Sequence, residues 1–186
     1  VFWSPGRWTP RNRDVNFRAS CAFSSAEYVY GQLMLERLTK LPEDFSWMAK
    51  GTYQWADSNL LGSEQLGAGG YNSVRGYDER EANGDEGYLV TMEVRTPAVS
   101  LGKPLAFEKA TDQLQFLAFW DYGMVENRHL LAGEDPHLLL SSVGPGVRYT
   151  ISPWLSVRFD YGFQLYDSGL NTRNNSRAHV GVVLSY

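Results

Sequence analysis

The chain has 186 residues and a formal net charge of -4 with both signs scattered, so it lacks the basic stripe that nucleic-acid binding requires. Aromatic residues make up 14% of the chain, yet its mean hydropathy is -0.35, which indicates that apolar and polar side chains are interleaved as in β-strands. No apolar run reaches the roughly eighteen residues of a membrane-spanning helix, which excludes helical membrane proteins but not barrels.

The predicted elements begin with a loop in the first twenty or so residues, which leads into a strand around Asp14 to Phe23. Clearer strands follow, because apolar and polar residues alternate along each of them. They cover residues 28–36, 46–57, 88–95, 114–124, 140–151, 155–166 and 178–186. The strand at 155–166 has the cleanest alternation, and the segments have the length of tilted membrane-spanning strands.

The predicted connections also differ between the two ends of the strands. Tight turns occur at Pro42 and Pro153, whereas long loops cover residues 58–86, 125–137 and 167–177. Short turns on one rim and long loops on the other are typical of an outer-membrane barrel. A soluble sandwich or lipocalin would instead bury the apolar face inward, and alternation alone does not distinguish the two.

The polar face of the predicted strands favours the membrane barrel. It carries ionisable side chains of both signs, and these side chains can pair with one another in a water-filled lumen. These residues are Lys50, Glu93, Arg95, Asp121, Arg148, Arg158 and Asp160.

The loop over residues 58–86 contains a glycine-rich stretch that is longer than a hairpin connection needs, and such loops are usually functional. Its glycines Gly67, Gly69 and Gly70 allow backbone conformations that a side chain would forbid. Arg75 follows them, and its planar guanidinium needs a carboxylate or several carbonyls as acceptors if it is buried.

Catalytic, metal and cofactor sites are not predicted. Cys21 is the single cysteine, so no internal disulfide or cysteine-built zinc site can form. The histidines His129, His137 and His179 are far apart and show no ligand spacing. The sequence has no Gly-x-Ser-x-Gly motif, and its acidic loop lacks the spacing of an EF-hand.

Two motifs carry a resemblance to a known family. Val74-Arg75-Gly76-Tyr77 lies in the long loop, and Phe119-Trp120-Asp121-Tyr122-Gly123 lies in a later strand. The first is similar to the (V/I)RG(F/Y) signature, and the second matches Phe-x-Asp-x-Gly at Phe119, Asp121 and Gly123. From about Tyr28 to Tyr186 the chain resembles the outer-membrane transporters of two-partner secretion, the haemolysin secretion/activation (TpsB, FhaC-like) proteins, which are relatives of BamA.

The resemblance implies an all-β fold, namely the C-terminal portion of an antiparallel transmembrane β-barrel, with about eight of roughly sixteen strands. Residues 1–186 would then form one part of a barrel domain without POTRA domains, and the loop at about 58–86 would fold into the lumen. Asp121 is the implied inner-wall partner of Arg75 in the latch motif Val74 to Tyr77.

The implied function is a pore in the outer membrane of a Gram-negative bacterium that secretes and activates a TpsA-like partner protein. Its other implied partners are outer-membrane lipid and, during biogenesis, the barrel-assembly machinery; no nucleic acid is expected. The strand end at Val180, Val182, Leu184 and Tyr186 resembles the C-terminal signal that this machinery recognises. Two alternatives remain open: a BamA- or TamA-like assembly factor, and a soluble β-barrel that binds a small apolar ligand.

Overall fold

One antiparallel sheet of eight strands makes up most of the computed structural model, which describes residues 1–102, 111–169 and 175–185. The elements in chain order are β1 (Phe2–Pro5), α1 (Asp14–Ser20), β2 (Glu27–Lys40), a 3-10 helix (Pro42–Asp44), β3 (Ser46–Ala56), β4 (Leu66–Ala68), β5 (Ala82–Gly84), β6 (Glu86–Arg95), β7 (Thr111–Glu126), β8 (His137–Ser152), β9 (Leu155–Gln164) and β10 (Ser176–Leu184). The predicted all-β fold is confirmed.

Each strand of the sheet pairs with the next large strand in the sequence, in the order β1-β2-β3-β6-β7-β8-β9-β10. The separate hairpin β4-β5 lies within the connection between β3 and β6. In the described part of the chain the sheet is not closed, because β1 and β10 form its two edges. β1 pairs only with Glu27 to Tyr30, so the rest of β2 also lies at an edge.

The two faces of the sheet differ in chemistry. Large apolar side chains such as Tyr53, Trp55 and Phe163 are exposed on one face. The opposite face carries buried polar residues, among them Gln54 and Asp160. This is the alternation that the sequence predicts, and it places the apolar residues on the face away from the long loop.

The predicted strand from Asp14 to Phe23 is wrong, because residues Asp14–Ser20 form a short helix. The Asp14 carboxylate accepts a hydrogen bond from the backbone N–H of Ala26, which ties the helix to the start of β2 and lowers the pKa of Asp14. On the next turn the Phe17 ring lies 6.3 Å from the Tyr28 ring. These tertiary contacts decide the conformation of a segment whose sequence has no clear period.

The short turns and the long loop lie at the ends of the strands where the sequence predicts them. The 3-10 helix Pro42–Asp44 joins β2 to β3, and Ser152 to Leu155 joins β8 to β9. The connection over residues 96–112 and the predicted loop over 167–177 are only partly described, since residues 103–110 and 170–174 lie outside the described ranges. No helix in the described ranges is long and apolar enough to cross a membrane.

Residues between β3 and β6 fold onto the polar face of the sheet. The hairpin β4-β5 and the segment between its strands contribute most of a buried apolar cluster. This cluster also includes wall residues of β7 and β8, and its members are Leu66, Ala68, Val74, Tyr77, Ala82, Val125 and Leu140. The loop is therefore packed by its own side chains, as in a compact Ω-type loop.

Candidate functional site

The turn of the loop hairpin brings Arg75 to the inner wall. Gly69 and Gly70 both have φ of +102°, and Gly76 has φ of +94°, which are backbone conformations that favour glycine. Gly67 does not have a positive φ, so its role differs from the one predicted: a Cβ there would lie 2.8 Å from the Arg80 side chain. Between these glycines, Arg75 is 1% exposed, so its charge must be met by protein groups.

The guanidinium of Arg75 forms a two-pronged ion pair with Asp121 on β7. Its Nε donates to Oδ2 of Asp121 at 2.7 Å, and its Nη2 donates to Oδ1 at 2.8 Å. The backbone N–H of Arg75 donates to the same Oδ2 at 3.1 Å. Asp121 is fully buried, so both partners are removed from solvent and the geometry of the pair is that of a fork on a carboxylate.

Two further carboxylates complete the surroundings of Arg75. Its Nη1 donates to Oε1 of Glu93 on β6 at 2.7 Å and to Oδ1 of Asp160 on β9 at 3.4 Å. The face of the guanidinium lies over the Phe119 ring, 3.6 Å from the ring centroid. Arginine satisfies this site because it has planar donors and a stackable face, which lysine lacks.

Wall arginines hold two of these carboxylates independently of the loop. Arg95 donates to Oε2 of Glu93 from Nε at 2.8 Å and from Nη2 at 2.6 Å. Arg148 donates to Oδ1 of Asp160 at 2.9 Å, and Arg158 donates to its Oδ2 at 2.6 Å. No second arginine reaches Asp121 in the described part of the chain. Among the described residues, Asp121 is therefore the carboxylate of this network that pairs with Arg75 alone.

Gly76 rests against β9 and β10 at close range. A Cβ on Gly162 would lie 2.6 Å from the backbone nitrogen of Gly76, so the wall needs a glycine there. The N–H of Gly76 donates to Nε2 of His179 at 3.0 Å, and its carbonyl accepts from Nε2 of Gln164 at 2.7 Å. The first bond requires an unprotonated Nε2 on His179.

The other motif residues pack against β7 and β8. The hydroxyl of Tyr77 lies 2.8 Å from the carbonyl oxygen of Ser141 and 2.7 Å from that of Tyr166. Val74 is fully buried, and a Cβ on Gly123 would lie 2.9 Å from its Cγ2. Phe119 and Gly123 thus frame Asp121 by stacking on the guanidinium and by leaving room for Val74, respectively.

Sequence reasoning missed several of these contacts. Glu93 and Asp160 were predicted to face inward, but not to bind Arg75. His179 was considered as a metal ligand, for which its spacing is unsuitable, and it accepts a hydrogen bond from Gly76. The period-two pattern contains a usable signal, because Asp160, Gly162 and Gln164 share one face of β9 and all three lie near the motif.

The C-terminal residues named by the sequence lie on the edge strand β10. Val180, Val182 and Leu184 are 64%, 57% and 76% exposed, respectively. Tyr186 lies outside the described residues. The structure does not bring Val180, Val182 and Leu184 to the Arg75 network, and the predicted role of the strand end as an assembly signal stays a prediction.

The network can hold a loop in place, and it contains no nucleophile-base pair. Among residues 1–102, 111–169 and 175–185, no group of three or more His, Cys, Asp or Glu side chains could hold a metal ion. Each carboxylate of the network is bonded to at least one arginine, which favours a fixed ionic contact over proton transfer.

An antiparallel sheet with an apolar outer face, and with a charged loop on its inner face, is consistent with a portion of an outer-membrane β-barrel. Comparison with known families matches residues 11–149 to the haemolysin secretion/activation protein ShlB/FhaC/HecB. The chain belongs to this family of outer-membrane two-partner secretion transporters, which is a family of transporters and not of enzymes. No curated protein matches the chain.

Proposed function

We propose that the chain forms part of an outer-membrane pore that secretes and activates a TpsA-like partner protein, with Val74 to Tyr77 acting as a latch inside the barrel. Family membership supports the transport role. The observation that carries the latch is the enclosure of Arg75, whose guanidinium donates to carboxylates on β6, β7 and β9. A loop held by three separate strands has one defined position in the lumen.

The outer face and the edges of the sheet contact the surroundings of the pore. The exposed apolar face of the sheet contacts lipid in the outer membrane of a Gram-negative bacterium. The edges at β2 and β10 pair with further barrel strands, which removes unpaired backbone groups from the membrane. The exposed residues Val180, Val182 and Leu184, together with Tyr186, are recognised by the barrel-assembly machinery.

The test is secretion by the complete transporter carrying Arg75→Ala. We expect the partner protein to remain unsecreted while the barrel still inserts, because the substitution removes the latch contacts and leaves the strand pairing intact. Secretion is measured as partner protein in the medium, and insertion as heat-modifiable migration of the outer-membrane fraction.

Arg128→Ala is the matched control, because Arg128 is an arginine with a 41% exposed side chain that pairs with Glu86 outside the network. It should secrete at the wild-type level. Normal secretion by Arg75→Ala would rule out the latch, and loss of insertion would show that Arg75 serves barrel stability instead.

A further inference from the structure

A cavity of about 220 Å³ adjoins Arg75 between the loop tip and the inner wall. Loop residues Tyr71, Asn72 and Ser73 line one part of it. Strands β2, β3, β6, β8 and β9 line the rest. The volume has room for a small ionic group together with several water molecules, since a water occupies about 30 Å³ in the liquid.

The lining of this cavity is rich in cations. Five of its side chains are cationic, namely Lys50, Arg75, Arg95, Arg148 and Arg158, whereas two are carboxylates, Glu36 and Glu93. Low-dielectric walls focus the field of such a charge excess into the space that they enclose. The lining itself therefore carries more cationic than anionic side chains.

The buried carboxylates nearby are already occupied. Both oxygens of Asp121 accept from Arg75, and both oxygens of Glu93 accept from arginines. Asp160 likewise accepts from Arg148 and Arg158 on its two oxygens. Together with Glu36, these three acids offset four of the five cationic side chains, so the cavity and its immediate surroundings keep an excess of one positive charge.

Several donors at the cavity have no acceptor within the described ranges. Lys50 forms no ion pair there, although it is the cross-strand partner of Glu36. The Nη1 atoms of Arg95 and Arg158 likewise make no hydrogen bond to a described residue. A group with two or three oxygen acceptors would satisfy these donors with charge-assisted hydrogen bonds.

We propose that this cavity is an anion-binding site that takes a carboxylate or phosphate group. Its occupant during secretion is an aspartate or glutamate side chain of the transported polypeptide, and this part rests on the proposed function. The site touches both the loop tip and the wall, so an acidic segment passing through the lumen would meet cationic contacts beside the latch.

The first test measures binding of inorganic phosphate to the complete transporter in detergent by isothermal titration calorimetry. Lys50→Gln should weaken the phosphate affinity about three- to fivefold, as expected for one contact in a wet site. Lys40→Gln is the control, because Lys40 is an exposed lysine of β2 that does not line the cavity. The site is overturned if the wild type binds no phosphate, or if both variants bind it equally well.

A second experiment distinguishes a carboxylate of the transported polypeptide from free phosphate as the source of the anion. A short peptide containing glutamates is titrated beside the same peptide with glutamines, with and without competing phosphate. Binding of the glutamate peptide alone, and its displacement by phosphate, would support the transported chain as the occupant. Equal binding of both peptides would overturn that source. The phosphate result needs no secretion, so it stays valid if the latch fails its own test.

Discussion

At the scale of single residues, the three carboxylates of the inner network depend on Arg75 to different degrees. Glu93 and Asp160 each keep a wall arginine when Arg75 is absent, because Arg95 and Arg158 bind them at 2.6 Å. Asp121 depends on the loop arginine in the described residues. Losing Arg75 therefore leaves one buried carboxylate, that of Asp121, without a compensating positive charge.

This asymmetry predicts a specific rescue. Arg75→Ala should destabilise the folded barrel by on the order of 3 kcal/mol, because it leaves the charge of Asp121 buried without a cationic partner. Adding Asp121→Asn should recover part of the loss, since the stranded charge is then removed. The measurement is the temperature of heat-modifiable migration on gels for the single and double variants.

The matched control is Arg75→Ala with Asp160→Asn. This double variant should be no more stable than Arg75→Ala alone, because Arg158 then loses its carboxylate and Arg148 keeps only Glu93, at 3.6 Å. Equal recovery by both double variants would contradict the dependence of Asp121 on Arg75 as its cationic partner.

Gly162 supplies a second prediction at this scale. A Cβ there would lie 2.6 Å from the nitrogen of Gly76 and 2.7 Å from the carbonyl carbon of Arg75. Gly162→Ala should therefore displace the motif from the wall and reduce secretion, while β9 itself tolerates alanine. Secretion and protease cleavage of the loop are the measurements.

Gly51→Ala is the comparison for Gly162→Ala, because a Cβ on Gly51 would meet nothing within 4 Å. Gly51 lies on β3, so the substitution adds the same methyl group to a strand of the same sheet. Wild-type loop protection in Gly162→Ala would show that the wall can shift to admit a methyl group.

At the scale of elements, the long loop is held at its root as well as at its tip. Asp85 is fully buried beside β6 and accepts hydrogen bonds from three groups. The donors are the N–H of Leu60 at 2.8 Å, Nε2 of Gln65 at 3.0 Å and the N–H of Arg128 at 2.9 Å. One carboxylate thus joins the two ends of the loop between β3 and β6 to the loop after β7.

Removing this carboxylate should loosen the loop and spare the sheet. Asp85→Ala leaves three donors without their acceptor, and each such buried donor costs about 1–3 kcal/mol. Limited proteolysis should then cut between β3 and β6 faster than in the wild type, with unchanged strand content by circular dichroism. Glu134→Ala, an exposed acid that accepts only a local bond from Leu131, should behave like the wild type. Equal cleavage of the two variants would contradict the anchoring role of Asp85.

At the scale of the whole molecule, the outward apolar face and the open edges decide how the chain behaves in solution. Aromatic and aliphatic side chains such as Trp55, Phe159 and Val180 are at least 40% exposed on the sheet. Unpaired strand edges in water are templates for aggregation. Lipid or detergent covers the first of these surfaces, and further strands cover the second.

The chain should accordingly fold only in detergent or lipid. We expect a β-rich spectrum in far-ultraviolet circular dichroism and heat-modifiable gel migration in detergent, and aggregation in plain buffer. A monodisperse β-rich species in buffer would mean that the apolar faces pack against each other, as in a soluble ligand-binding barrel.

Much of this architecture could be predicted from the sequence, because a period of two fixes which side chains share a face once a strand exists. The strands from Glu27 to Lys40 and from Leu155 to Gln164 follow that rule. The pairing of Arg75 with Asp121 was implied by motif resemblance, since their separation of 46 positions carries no local signal. The helix Asp14–Ser20 was missed because contacts with Ala26 and Tyr28, and not local pattern, hold it.

The sequence by itself determined the alternating faces, the turn positions and the presence of a glycine-rich loop whose Arg75 needs acceptors if it is buried. These are local properties, set by side-chain type and by backbone freedom at positions such as Gly69 and Gly76. Only the tertiary structure decided that Glu93 and Asp160 also meet Arg75, that His179 accepts from Gly76, and that Gly162 makes room for the motif. These contacts join residues that are far apart in the chain. Sheet pairing and loop packing bring the residues together, and no short stretch of sequence encodes either of them.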